Sequence, residues 1–409
     1  LVCLNKADGK VLWIRRAGHF EAATDEEKHN PAYPDAQALA RKIDAINASF
    51  IAGKATNNQL VEKWKSETAL RKQMKLVDAV KYANREIPDV GFSGFTPCTD
   101  GKFIYAWFGD GVSVCFDLEG NRKWMHLDQH DPAEHGFSSS PLLVDGKFVI
   151  FMRDLIAMDC ASGQVAWQTP ITAPTGPNPD GYFHGALVGT VIDGVKVILL
   201  GNGMIVRASD GAVVYKDKFV GKQFLVSPVV ENKLVLTITR YNRDLSIRTL
   251  PRQFTDPLNV TGRALTIDTS GFPKNYVNWQ LCSPVIDKGL AYLVNNAGVL
   301  TVVDIEAGAV VYQKMLDIDA FQAVNEGAAR GIGISPILAG KYLYFMGDSG
   351  TTLVIEPGRS YRQVAKNKIE NVVMLGHWSE RQERFVANPV PDGNRLYIRG
   401  EESLYAIGP

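Results

Sequence analysis

Residues 157–167 read Ala157-Met158-Asp159-Cys160-Ala161-Ser162-Gly163-Gln164-Val165-Ala166-Trp167. The apolar run through Ile156-Ala157-Met158 stops at an acid, and Ser162-Gly163 follows. Glycine enters positive φ without steric cost, and Asp and Ser bond back to their own backbone, so the segment turns sharply. Trp167 then stands four residues after the glycine. The pattern is a tight antiparallel hairpin whose return strand carries a large ring.

The same spacing recurs at Gly9–Trp13, Gly120–Trp124, Gly211–Tyr215 and Gly308–Tyr312. Comparable apolar runs ending in a polar residue lead into it, as in Val2-Cys3-Leu4-Asn5, Val114-Cys115-Phe116-Asp117 and Leu300-Thr301-Val302-Val303-Asp304. The ring is placed to pack over the turn of a neighbouring unit, so these glycines and aromatics, with Gly163 and Trp167, are structural docking positions.

A second signal precedes each hairpin. Thr96-Pro97, Ser140-Pro141, Ser227-Pro228, Ser283-Pro284 and Ser335-Pro336 each open an apolar strand, with Asn388-Pro389 as a variant. Proline is tolerated at a strand start because no ladder donor is lost there. The spacing is roughly 45 to 55 residues, apart from one double step in which Ala186 stands in place of the missing proline. Turns follow at Asp100-Gly101, Asp145-Gly146, Asp193-Gly194 and Asp392-Gly393. Each unit is therefore strand A, tight turn, strand B, loop, strand C, glycine turn, strand D.

Four short strands at such a period indicate a β-propeller blade. The expected fold is all-β, a propeller of four-stranded antiparallel blades, forming one domain over residues 1–409. Complete units are expected at 92–124, 137–167, 184–215, 225–279, 282–312 and 334–364. The first, 1–13, holds strands C and D only, and the last, 386–409, stops after strand C. Both ends contain strand C and cannot share one ordinary blade, which points to eight blades, with seven as the alternative. The alternation stops over 14–90. There, Asp35 to Ile51 and about 57–84 carry apolar residues at helical spacing, so a small helical insertion is expected between blades.

Composition agrees. The 44 Lys+Arg balance 44 Asp+Glu, which argues against nucleic acid as the main partner and against an anionic membrane surface. Hydrophobic residues at 45% suffice for a large core. Cys3, Cys98, Cys115, Cys160 and Cys282 form no CxxC and no zinc spacing, so they are read as small buried apolar residues. No apolar run is long enough to span a membrane. The start on the strand-like Leu1-Val2-Cys3-Leu4 suggests an N-terminus that has been processed or cut.

The segment 157–167 resembles the repeat of the PQQ-like, quinoprotein-type propellers, Ala-x-Asp-x-x-(Thr/Ser)-Gly-x-x-x-Trp. The likeness is good at Leu4–Trp13 and Asp117–Trp124, and degenerate at Ser209–Tyr215, Asp268–Trp279 and Asp304–Tyr312. The resemblance covers the chain except for 14–90. One branch of that superfamily holds PQQ- and calcium-dependent dehydrogenases. The other holds BamB-type periplasmic scaffolds without a cofactor. The vicinal cysteine pair of many enzymes of the first branch is absent, and its calcium ligands match no positions here. The resemblance thus implies a non-catalytic, periplasmic or otherwise extracytoplasmic binding protein with no cofactor. The competing reading is a quinoprotein dehydrogenase that oxidises an alcohol or sugar with PQQ and calcium.

In a propeller the D–A and B–C loops gather at one face. The richest D–A segment is Met125-His126-Leu127-Asp128-Gln129-His130-Asp131-Pro132-Ala133-Glu134-His135. Others bring Tyr182-Phe183-His184, Gln280, Glu326 with Arg330, and His377-Trp378 with Glu383. From these, a funnel of His135, His184, Gln280, Arg330 and Trp378 is the expected contact surface for a protein, or for a small-molecule or carbohydrate ligand. No histidine spacing supports a metal. B–C loops add Asp110, Asp154, Asn202, Asn295, Asn296, Asp348, Glu401 and Glu402, in part as ordinary turn chemistry. Trp13, Trp124, Trp167 and Trp279 are read as blade packing, whereas Trp107 and Trp378 lie outside that register and are free for a ligand.

Overall fold

The computed structural model describes residues 1–83, 94–128, 139–152, 154–171, 184–216, 226–238, 244–272, 280–318, 332–375 and 379–408. The fold is an all-β propeller with seven blades, the lower of the two counts the sequence admits. Six are four-stranded antiparallel meanders, and the seventh has three strands. They occupy residues 98–127, 142–170, 188–215, 229–266, 285–315, 337–368 and 390–407. A hairpin of Val2–Leu4 and Val11–Ile14 comes before them, and one of Val372–Leu375 and Ser379–Gln382 follows blade 6. The chain divides into two compact units, Leu1–Asp180 with Ala208–Ala212, and Gly181–Arg207 with Val213–Pro409.

Blade 2 shows how sequence makes a blade. Its strands are Leu142–Val144, Lys147–Phe151, Asp154–Asp159 and Val165–Pro170. Phe148 through Phe151 and Leu155 through Met158 are buried without alternation, because blade faces are covered on both sides. The A–B turn has φ of 54° at Asp145 and 67° at Gly146, which twists with the strands as a two-residue hairpin requires. At the C–D turn the register shifts between Val165 and Trp167. Comparable shifts occur at Cys115/Phe116, Ile205/Val206, Val302/Val303 and Val354/Ile355. Such a bulge sharpens the local twist and re-aims the following side chain.

Within the first unit, that side chain lands on the next turn. A Cβ on Gly120 would lie 2.9 Å from the Trp13 ring, one on Gly163 2.6 Å from Trp124, and one on Gly211 2.6 Å from Trp167. Each indole Nε1 donates to a carbonyl just before the glycine: Trp13 to Leu118 (2.9 Å), Trp124 to Cys160 (2.8 Å) and Trp167 to Ala208 (3.0 Å). Two residues on, Arg15 Nε and Thr169 Oγ1 each donate 2.6 Å to the carbonyl of the glycine itself.

Blade 4 departs from this plan. Its strand D is Thr261–Thr266 rather than a strand reaching Trp279, which lies outside the described residues. Its C–D register is regular. The docking position is taken by Arg263, whose guanidinium would meet a Cβ on Gly308 at 2.6 Å and donates to the carbonyls of Ile305 (2.6 Å) and Glu306. The C–D loop folds back on blade 3: Leu258 N donates to Val214 O (2.8 Å), and Leu250 and Leu258 pack with Val214 and Tyr215. Tyr312 packs instead into an apolar cluster with Leu343, Leu353 and Tyr361.

The Ser/Thr-Pro signal has a separate cause. The N–H of Thr96 donates to Ser140 Oγ (3.1 Å). Likewise Ala186 donates to Ser227 (2.8 Å), Ser227 to Ser283 (3.0 Å), Ser283 to Ser335 (2.9 Å), and Ser335 to Asn388 Oδ1 (2.9 Å). These residues stand two positions before each strand A, so the hydroxyls stitch neighbouring blades at that edge. Ala186 therefore occupies the serine position, and Leu187, one residue later, that of the missing proline. Beside it the chain comes so close that a Cβ on Gly185 would lie 2.2 Å from Val226 O.

The insertion folds as expected into α1 (Tyr33–Ile51) and α2 (Asn57–Val77), the latter opened by a capping box of Thr56 and Gln59. Ala36, Ala40, Ile43, Leu70, Met74 and Tyr82 form its core, against which Leu127 of blade 1 packs.

Two pairs of substitutions measure these contacts. Gly146 and Gly163 share positive φ (67° and 73°), but a Cβ meets nothing within 4 Å at Gly146. In urea unfolding Gly163→Ala should cost about 1–3 kcal/mol more than Gly146→Ala; equal losses would show that the Trp124 contact is dispensable. Ser283→Ala should cost about 1–3 kcal/mol by leaving the Ser227 N–H unpaired, and Ser283→Asn, the residue present at 388, should restore much of it.

Candidate functional site

The A–B turns are short, whereas D–A connections are long: in blade 2 the first spans Asp145-Gly146, and the second runs from Pro170 to Val188. The helical insertion is itself a D–A connection, leaving at Ile14 and rejoining ahead of Cys98. His19 near its start sits on the blade 1 B–C turn, with Nε2 3.2 Å from Asp110 O and 3.9 Å from the Asp110 carboxylate. Burial pushes the Asp110 carboxyl up, with His19 opposing. D–A and B–C segments thus share one side in the first unit. At the end of strand D, His126 Nε2 lies 3.0 Å from Asp128 Oδ1, and that bond raises the imidazole pKa.

The five expected contact residues fare differently. His135, Arg330 and Trp378 lie outside the described residues. His184 is half-buried, two positions before the Ala186 stitch. Gln280 is buried, and its Nε2 donates to Cys282 O (2.7 Å) and Val294 O (2.8 Å), so its amide hydrogens serve the backbone. It lines a small cavity with Thr269, Asn295, Thr301 and the apolar Ile238 and Leu293. Trp107 is core, tilted against Phe95 at 4.0 Å between ring centres. Asn295 closes its own turn, Oδ1 accepting from Ala297 N (3.1 Å) and Val299 N (2.9 Å). Among the described residues no three His, Cys, Asp or Glu side chains are gathered as a metal site would need.

The most elaborate polar centre is one the sequence shows only as a loop acid. Glu383 is fully buried. Oε1 accepts from the N–H groups of Glu402 (2.8 Å) and Ser403 (2.9 Å); Oε2 accepts from Asn371 Nδ2 (2.8 Å) and the Tyr405 hydroxyl. Gly400 is required beside it, since a Cβ there would lie 2.3 Å from Oε1. Burial drives the carboxyl pKa up, but the Tyr405, Asn371 and amide hydrogen bonds outweigh it and hold it below its ordinary value. All four acceptor directions are spent, so Glu383 ties the hairpin after blade 6 to blade 7 and is not a free base.

The sequence matches the family described as outer membrane protein assembly factor BamB, over residues 1–243 and again over 184–408. Among solved structures, BamB from Moraxella catarrhalis aligns at 13% identity over 77% of this chain and 93% of its own, with a TM-score of 0.44. The computationally designed Ika8 protein aligns at 12% identity over 76% of this chain and 95% of its own, with a TM-score of 0.42. No curated protein matches the sequence significantly.

Glu383→Gln should destabilise the chain by about 1–3 kcal/mol at neutral pH, since an amide cannot accept all four hydrogen bonds. The carboxylate's folded pKa is depressed, so its contribution is full above the ordinary value of 4.5 and is lost as pH falls through the folded value. Unfolding curves of both proteins should therefore differ by a constant amount from neutral pH down to that range and converge below it. A gap that widens in acid would contradict the assignment.

Proposed function

The chain belongs to the family of the outer membrane protein assembly factor BamB, and from that premise we propose that it is a non-catalytic binding scaffold working outside the cytoplasm. The family match along the whole chain carries this reading. The molecule's build supports it, because long polar loops rise from blades fixed by indole–glycine contacts and serine stitches, and binding residues concentrate on such loops. Its partner is a protein, in keeping with the assembly role printed for the family. A periplasmic setting follows from the same premise.

The contact residues lie on the D–A loops: His135 in the first unit, and His184, Arg330 and Trp378 in the second. Gln280 supports the loop before blade 5, its amide hydrogens being committed to backbone carbonyls. In this reading no PQQ or calcium takes part. Asn295 of a B–C turn and Glu383 of the connection before blade 7 spend their oxygens on neighbouring backbone and side chains, which leaves them poorly suited to hold a cation.

Site-specific photo-crosslinking in cells tests the reading. A crosslinker at 135, 184 or 330 should capture the same protein, and one at the A–B turns, at Asp145 or Asp392, should not. His135→Ala with Arg330→Ala should weaken that capture and leave thermal stability nearly unchanged. Capture from the A–B turns alone would assign the wrong face. Dye reduction with alcohols or aldoses after addition of PQQ and calcium would replace the scaffold with the enzyme.

A further inference from the structure

We propose that the free end of the helical insertion is a docking tip for an anionic lipid surface. α1 ends at Ile51 and α2 starts at Asn57, so residues 51–64 form the end of an antiparallel hairpin. Four large apolar side chains are exposed there: Ile51 at 42%, Leu60 and Val61 at 49% each, and Trp64 at 64%. Leu60 and Trp64 lie one turn apart on the same side of α2. The hairpin's own core is already made by Ala36, Ala40, Ile43, Leu70 and Met74. The exposed four are therefore not core residues left uncovered by chance of packing; they add nothing to the insertion's interior.

The charge around them is one-sided. Both acids of α2 are matched, Glu62 by Lys42 and Glu67 by Lys63 at 3.8 Å. Lys54 and Lys65 are exposed and make no ion pair among the described residues. The chain's zero net charge thus conceals a local positive excess beside the apolar tip.

Shape and chemistry together select lipid. The apolar side chains come from the ends of two helices and form a projecting knob, which a deformable bilayer interface can accept. Tryptophan suits the boundary between headgroups and acyl chains, and lysine extends its ammonium to anionic headgroups from an apolar stem. No helix among the described residues is long and apolar enough to cross a membrane, so the tip rests at the surface. This inference is independent of the scaffold reading and stands or falls without it.

The test is co-sedimentation of the 409-residue chain with phosphatidylcholine vesicles, with and without phosphatidylglycerol, at low and high salt. The chain should pellet with the anionic vesicles at low salt and largely remain in solution with the neutral ones. Trp64→Ala should reduce partitioning about tenfold, Trp64→Phe much less. Lys54→Glu with Lys65→Glu should reduce it at least about tenfold and remove the salt dependence. All these positions are exposed, and unchanged thermal unfolding shows that the variants fold. A wild-type chain that stays in the supernatant with anionic vesicles overturns the proposal, even if residue 64 then crosslinks to a protein. So does equal pelleting of wild type and Trp64→Ala.

Discussion

An indole lying on a glycine joins one hairpin to the next, and much of the sequence pattern exists to permit it. Trp124 can lie flat on Gly163 only because no Cβ intervenes, and the same positive φ that excludes other residues turns the chain there. The ring also donates to Cys160 O, which would otherwise be an open carbonyl at a strand end. One contact thus buries a large apolar face and satisfies a polar group. It must be repeated because a blade cannot bury its own faces. Arg263 at Gly308 shows which part is essential: a flat group able to donate to the carbonyls ahead of the glycine, aromatic or not.

That explains what was legible in the sequence. Gly163 with Trp167 and the Ser/Thr-Pro steps are local, so blade architecture and the insertion could be read from spacing alone. The blade number depends on how the chain's ends are used, and the repeats admitted two answers. Blade 4 departs from the expected unit 225–279 because its docking group is an arginine and its C–D connection is long, so the next aromatic at the expected kind of position in the sequence is Trp279. The serine stitch was visible as a motif but not as a bond, since its donor lies one whole repeat away. Trp107 lies outside the docking register and so reads as a candidate for ligand contact, yet it stands at the end of a strand B and is buried.

The polar residues tell a similar story. Asp, Asn and Glu in connecting loops signal chemistry in a sequence, but Asn295 of a B–C turn and Glu383 of a D–A connection turn inward and satisfy backbone N–H groups. Sequence cannot distinguish a turn acid that faces solvent from one that is sequestered, because the difference is made by residues far along the chain. For Glu383 those are Asn371 and Tyr405, together with a glycine at 400 that leaves room.

The first D–A connection, the helical insertion, is held by buried and half-buried polar contacts. Arg16 pairs with Glu21 at 2.9 Å and donates to Ala40 O at 2.7 Å, while His19 reaches Asp110 of blade 1. Glu27 binds Lys81 and the Tyr82 hydroxyl, each at 2.8 Å. Burial works against the Glu27 carboxylate, but those bonds win and bring its pKa to about 2, whereas at Glu21 burial wins over Arg16 and the pKa rises. Partly buried ion pairs add little net stability, because desolvation cancels much of their attraction. What they do supply is direction, since each is satisfied in one arrangement and costly in any other. The pairs at Arg16 and Glu27 hold parts of the insertion to one another, whereas the bond of His19 to Asp110, that of Arg122 to Glu21 O (3.1 Å) and the apolar contact with Leu127 join it to blade 1. The contacts to blade 1 all gather at the base of the insertion, so its orientation is set there and not at the helix ends.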